Sequence, residues 1–294
     1  MADNLYSVPK FEDTLFPLKK TLQSKGNLYL MEEPWVMGIL NITPDSFYKK
    51  SRISPKNSEI IEKAGEMLGN GAKILDIGGY STRPGASALS VKEELNRVIP
   101  VITIIREVFP HALLSIDTFR HQVAEIAIQS GADIVNDISG GELDPKMIRK
   151  VGELGAPYIC MHMRGNPQNM QELTHYDNLE KELLNYFSEK QKACREAGIK
   201  DVILDVGFGF AKNLEQNYKL LKNLSLFSQL GMPVLVGISR KSMIYKLLGT
   251  DSDEALNGTT AAHTIALVHG ASILRVHDVK AAKEAIDIYK KVYA

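Results

Sequence analysis

The chain has 294 residues, 44% of them hydrophobic, and its 35 basic and 35 acidic side chains cancel, a composition that suits a soluble globular protein with a large core. Balanced charge without a long basic run leaves no electrostatic footprint for nucleic acid or an anionic membrane, so neither is an expected partner. No apolar run approaches the roughly 20 residues of a membrane span, and residues 1–10 lack a basic patch followed by an apolar stretch, which makes a cytoplasmic location the expectation.

In chain order, residues 1–33 come first as an N-terminal extension that mixes charged and aromatic residues with Pro9 and Pro17. Its last part, 27–31, has the character of a hairpin strand that would close a barrel floor. From residue 34 to 294 the pattern becomes regular. Short β-rich apolar runs fall at 36–43, 73–77, 112–118, 134–139, 158–163, 202–206, 234–239 and 273–277, separated by segments with helical spacing such as Met147, Ile148, Val151 and Leu154. Gly71, Gly131, Gly155, Gly231 and Gly270 stand where left-handed C-caps would end helices before the next strand. Near-continuous apolar strands alternating with helices imply a parallel sheet. Eight such units predict an α/β fold of the (β/α)8 TIM-barrel type with a short N-terminal extension. A doubly wound open sheet is the rival. It lacks a fingerprint here: Gly207 and Gly209 have no third glycine at dinucleotide spacing, and GxxxxGK[ST] is absent. Cys160 and Cys194 read as reduced thiols, since two cysteines at this separation make neither a disulfide framework nor a C-x-x-C metal site.

A polar residue at the carboxyl end of a barrel strand points to the active-site face. Asn41, Asp117, Asn136, Asp137 and Asp205 take such places, Ser239, Arg240 and Lys241 follow the seventh strand, and Arg275 and His277 lie on the eighth. Asp and Asn also cap helices and pin loops. That reading does not serve Lys241, Arg275 and His277, which are poor partners for an already positive helix N-terminus. Carboxylates and an amide suit a flat heterocycle with N–H donors, while the cations suit phosphate oxygens or a carbonyl, and Arg can stack on a ring. The residues leave pterin and purine both open. His162 is either a ligand or a core imidazole, and the lack of a nearby His or carboxylate at metal-site spacing favours the second.

The segment MGILNITPDSF at 37–47 resembles the opening strand and loop of the dihydropteroate synthase family. Further matches follow in order: DIGGYSTRPGA (76–86), SIDTFR (115–120), VNDISGG (135–141), DVGFGFAKN (205–213), GISRKSMI (237–244), NGTTAAHT (257–264) and RVHDV (275–279). The resemblance implies condensation of a hydroxymethyl-dihydropterin pyrophosphate with p-aminobenzoate. It places Asp117, Asn136, Asp205 and Lys241 on the pterin edge and oxo group, with Arg275 stacked on the ring and reaching the pyrophosphate. Asn41 and His277 would bind the pyrophosphate side, with Asn41 the protein's ligand to Mg2+. Loops carrying Asp45, Ser46 and Phe47, and Ser81, Thr82, Arg83 and Pro84, would close over the site. Thr82, Pro84, Phe208, Lys241 and Ser242 would frame p-aminobenzoate in a pocket shared with sulfonamides. The family also implies a homodimer.

Three departures stand out. YKKSR at 48–52 replaces a Ser-Asp-Gly-Gly-like stretch, Val206 replaces Pro, and Ala211 replaces a Gly common before Lys212. The rivals are a methyltetrahydrofolate–corrinoid methyltransferase and an inactive pterin-binding paralogue. The first has no pyrophosphate to expel and so no need of SRK at 239–241 or RVHD at 275–278, and the second would be expected to lose its loop residues first.

Overall fold

A computed structural model of the chain describes residues 20–42, 55–80 and 89–293. Asp45, Thr82, Arg83 and Pro84, and the 48–52 departure, lie outside the described residues. Two antiparallel strands come first, β1 (Thr21–Ser24) and β2 (Asn27–Leu30), joined by a turn in which Lys25 and Gly26 take positive φ. Then β3 (Trp35–Asn41), β4 (Ala72–Gly78), β5 (Leu113–Asp117), β6 (Ile134–Asp137), β7 (Tyr158–Met161), β8 (Val202–Asp205), β9 (Val234–Val236) and β10 (Ile273–Val276) pair in parallel. All eight apolar runs of the sequence are accounted for. Because β10 bonds to both β9 and β3, the sheet has no edge, which excludes the doubly wound alternative.

The crossovers are α1 (Pro55–Gly69), α2 (Val91–Val108), α3 (His121–Gln129), α4 (Met147–Leu154), α5 (Leu179–Glu196), α6 (Leu214–Lys222), the pair α7 (Ser242–Leu248) and α8 (Leu256–Val268), and finally α9 (Val279–Tyr293). Local chemistry sets where they start. Ser90 and Glu93 form a reciprocal capping box on α2, and Asn213 and Gln216 do the same on α6. The five expected cap glycines all have positive φ. Gly231 ends a 3-10 segment, Leu224–Leu230, rather than α6 itself.

Strand alternation divides the core in two. Outward residues such as Val36, Leu40, Leu75, Ile77, Leu114 and Ile116 pack under the helices in one continuous cluster. Inward residues Trp35, Met37, Ile74, Leu113, Ile134, Ile159, Ile203, Leu235 and Ile273 fill the lower barrel. Leu22 from β1 joins that interior cluster and is fully buried, so the hairpin seals the amino-terminal end. Polar contacts tether it: Gln23 N donates to Asp201 (3.1 Å) and Ser24 Oγ to Asp133 O (3.3 Å), while Lys25 pairs with the Asp133 carboxylate (3.2 Å).

The floor is remote from the polar strand ends, so its loss is expected to affect stability alone. Leu22→Ala should cost about 2–5 kcal/mol of unfolding free energy, the range for a buried Leu truncation. Urea denaturation followed by circular dichroism checks this, with kcat of the folded enzyme unchanged.

Candidate active site

The same alternation that fills the lower barrel with aliphatic groups places polar groups directly above them. Asp76 stands two residues beyond Ile74, Ser115 beyond Leu113, Asn136 beyond Ile134, Asp205 beyond Ile203 and Arg275 beyond Ile273, with Asp117 a further two beyond Ser115. Register brings them side by side: Asp76 is level with Ser115, and Asp117 with both Gly78 and Asn136. The barrel thus carries a polar deck on an apolar floor. Two inward positions at deck level have no side chain. A Cβ on Gly78 would lie 3.5 Å from Asp117 Oδ2 and 3.6 Å from Asn41 Oδ1, and one on Gly237 would lie 3.9 Å from Asp205 Oδ2. Glycine at these points leaves open space between the charged groups.

Arg275 organises the deck. Its Nε donates to Asp76 Oδ2 at 2.6 Å and its Nη2 to Asp117 Oδ2 at 2.6 Å. Burial alone would lower the guanidinium pKa, but Asp76 and Asp117 more than reverse this and hold it above its ordinary range. Asp117 responds oppositely. Burial pushes its pKa up to about 7 against the pull of Arg275, with Asp76, Glu94 and Asp137 adding to the rise. Asn136 donates through Nδ2 to Asp76 Oδ2 at 3.0 Å, and Asp205 accepts from Gly207 N at 2.8 Å.

Lys241 enters from the loop after β9. Its ammonium donates to Phe208 O and lies 4.4 Å from the centre of the Phe210 ring. Burial lowers its pKa to about 8, partly offset by Asp205. The neighbouring Arg240 has left-handed backbone (φ 54°) and is fixed by a bidentate pair with Asp278, at 2.7 and 2.9 Å, and by donation to the carbonyls of Ser252 and Asp253. Arg240 is therefore the clamp that aims Lys241. Ser239 plays the same part for His277, with its Oγ 3.0 Å from His277 Nδ1.

Comparison with known proteins gives this constellation a name. The pterin binding enzyme family matches residues 37–277. The dihydropteroate synthase of Escherichia coli K12 is 45% identical over 271 residues, covering 91% of this chain and 94% of that protein. That of Synechocystis is 44% identical over 282 residues, covering 95% of each. The chain belongs to the dihydropteroate synthases. Solved structures agree: the Yersinia pestis dihydropteroate synthase in complex with a sulfonamide drug superposes with a TM-score of 0.85 at 39% identity, over 92% of this chain and 98% of that one. The Xanthomonas albilineans dihydropteroate synthase with 4-aminobenzoic acid gives 0.85 at 37% identity, over 94% and 99%.

Of the residues the dihydropteroate synthase resemblance singles out, Asp117, Asn136, Asp205, Lys241 and Arg275 gather on or beside the deck. Asn41 ends β3 beside Gly78, and Ser242 opens α7. His277 lies one residue beyond β10 and is exposed, not within the strand. Phe208 differs from expectation. Its ring is wholly buried in the outer core and offers the mouth only its carbonyl, while Phe210 presents the ring that faces Lys241. Asp137 faces outward as well, accepting from Ser139 N and Oγ, Gly141 N and Tyr158 OH, so it pins a loop.

Two interior groups escaped the sequence reading. Asp76 carried a signal, a lone acid at inward parity in a strand whose other inward side chains are apolar. Lys212 is buried and donates to Gly207 O (3.1 Å), Phe210 O (3.0 Å) and His162 Nδ1 (3.1 Å), cinching the turn after β8. Burial, with Lys212 and Arg164 nearby, pulls His162 down to about 2, so it is a neutral core acceptor and takes the second of its two readings.

These pKa directions predict a narrow optimum. If Asp117 acts as a carboxylate and Lys241 as an ammonium, kcat/KM rises as pH passes about 7 and falls as it passes about 8. Replacing Lys241 by Arg, which does not titrate in this range, should remove the alkaline fall in a pH–rate profile even if the maximal rate drops.

Proposed function

We propose that this chain condenses 6-hydroxymethyl-7,8-dihydropterin pyrophosphate with p-aminobenzoate, releasing pyrophosphate and 7,8-dihydropteroate. The observation that carries the reading is the deck itself, where Asp117 and Asn41 border the inward position of Gly78, Asp205 and Arg275 border that of Gly237, and Asn136 stands level with Asp117. Asp117, Asn136 and Asp205 are the acceptors for the N–H groups of a pterin edge, and Lys241 is the donor to its oxo group. The Arg275 guanidinium, held in plane by two carboxylates, stacks on the ring.

In this mechanism the bond between the pterin methylene carbon and the pyrophosphate oxygen breaks first, and the electron pair leaves with pyrophosphate. Arg275 and His277 stabilise the departing anion, and Asp117 the cation left behind. The neutral arylamine of p-aminobenzoate then attacks the methylene carbon, and the proton of the resulting ammonium passes to water or to the released pyrophosphate. No strong base is required. Asp45 and Arg83, which lie outside the described residues, would help to exclude water from the cation.

A magnesium ion fits the residues present. Among the described residues no group of three or more His, Cys, Asp or Glu side chains could hold a metal, whereas Asn41 Oδ1 and Asp117 Oδ2 both border Gly78. Such a sparse oxygen set suits Mg2+, which keeps most of its waters and takes substrate phosphates as ligands. When bound, the ion would neutralise charge on the leaving pyrophosphate. Asn41 is the residue that would hold it.

We also read the protein as a cytoplasmic homodimer. Among the described residues no helix is long and apolar enough to cross a membrane. Leu247 and Leu248 on α7, Ile265 on α8 and Ile288 and Val292 on α9 are exposed, Ile265 to 47%, and α8 packs on both α7 and α9, so a second copy docked on these helices would cover apolar side chains.

Pyrophosphate release from the pterin substrate should depend on both p-aminobenzoate and Mg2+, and EDTA should abolish it. Lys241→Ala should lower kcat/KM by about 100-fold or more, corresponding to loss of a buried charged contact of about 3 kcal/mol; undiminished turnover would refute this site. For the assembly, light scattering should give twice the chain mass, and Ile265→Asp should return it to that of one chain.

A further inference from the structure

Asp76 is wholly buried in the middle of β4, and nothing above gives it a part in the reaction. A carboxylate so placed is retained only where its partners compensate the loss of water. Both of its side-chain partners are site residues. One oxygen, Oδ2, accepts from Arg275 Nε at 2.6 Å and from Asn136 Nδ2 at 3.0 Å, while Oδ1 meets no protein donor among the described residues. A single atom therefore fixes two groups at once.

Each of those groups has a freedom that matters to a ligand. An amide can turn over with little change of shape, exchanging donor for acceptor. With Nδ2 committed to Asp76, a register step nearer the floor, Asn136 presents Oδ1 at the mouth and asks for an N–H on the ring that meets it. A guanidinium tied at one corner can rotate out of plane. Tied through Nε to Asp76 and through Nη2 to Asp117, on neighbouring strands, the plane of Arg275 is set and its remaining nitrogen is left to the mouth.

We propose that Asp76 is the positioning residue that sets the hydrogen-bonding polarity of the site, by holding the Asn136 amide acceptor-outward and the Arg275 plane fixed for the ring. The inference rests on the pterin reading of the deck. It assigns recognition of the pterin edge to a residue that does not touch the ligand.

Asp76→Asn tests it, because the change keeps volume and removes the charge. The variant's amide can turn its oxygen toward Asn136 Nδ2 and Arg275 Nε, but that oxygen is neutral, so both groups are held less firmly and a donor stands where Oδ1 was. With the circular dichroism spectrum retained, the KM for the pterin substrate should rise at least about tenfold and that for p-aminobenzoate by less than about threefold. The pH profile provides a readout that a merely structural role would not move. Asp117 faces the cations Arg275 and Lys241 and the anions Asp76, Glu94 and Asp137, so losing one anion should shift the acid limb of kcat/KM to lower pH. Unchanged pterin KM and an unmoved acid limb, or an equal rise in both KM values, would overturn the proposal. Should Asp76→Asn not fold, Asp76→Glu keeps the charge and displaces the shared acceptor by one methylene. A pterin KM within threefold of wild type in that variant overturns the proposal, and a tenfold rise with the p-aminobenzoate KM unmoved supports it. Failure of the wild-type enzyme to release pyrophosphate in response to p-aminobenzoate would be a separate result, against the pterin reading itself.

Discussion

A buried guanidinium shared between two carboxylates is the interaction around which the rest of this protein is arranged. Arg275 cannot lose its charge, and it sits inside a barrel whose lower half is aliphatic. It is tolerable there only because Asp76 and Asp117 reach it from adjacent strands at 2.6 Å each. That pairing ties β4, β5 and β10 together at the level of the deck. Burial raises the proton affinity of Asp117 into the neutral range, and Arg275 opposes the rise. A displaced pKa at the mouth is thus a by-product of enclosing the carboxylates that hold Arg275.

Around that centre the chain uses a repeated device in which one side chain acts and another holds it. Arg240 clamps the loop of Lys241, Ser239 orients His277, and Lys212 cinches the turn that offers the Phe208 carbonyl and the Phe210 ring. In one of these pairs the holder is much the more enclosed: Ser239 is buried whereas the His277 it orients is exposed. Rigid support below and accessible chemistry above is what a site needs when its ligands are flat and must be oriented rather than chemically activated.

The sequence made much of this legible, for definable reasons. The strands could be read because they are apolar runs, and because β4, β6, β7, β9 and β10 are each preceded by a glycine that ends a helical segment. The deck could be read because inward parity carries Asp117, Asn136 and Asp205 to the same end. Parity also explains Asp137, which immediately follows Asn136 and so faces the helices. It fails where the backbone stops alternating. Gly207, Gly209 and Ala211 all take positive φ, at 70°, 79° and 49°, so counting along GFGFA does not say which phenylalanine turns inward. Ala211 is informative in itself, since this chain accepts there a left-handed conformation that the glycine common in relatives would adopt more easily. Asp76 was overlooked for another reason: its meaning depends on two partners, one some 60 and the other some 199 residues away in sequence.

The hairpin ahead of the barrel has a consequence for traffic through the molecule. With Leu22 lodged among the floor residues, the amino-terminal end of the barrel is closed among the described residues. On the pterin reading, a ligand resting on the deck would lie beneath anything that entered after it, so depth would decide the order of arrival. The deeper guest comes first, the shallower one second, and a joined product has to withdraw by the way both came in. A short antiparallel ribbon that touches no reactant would in this way turn a symmetric pairing of two small molecules into a queue.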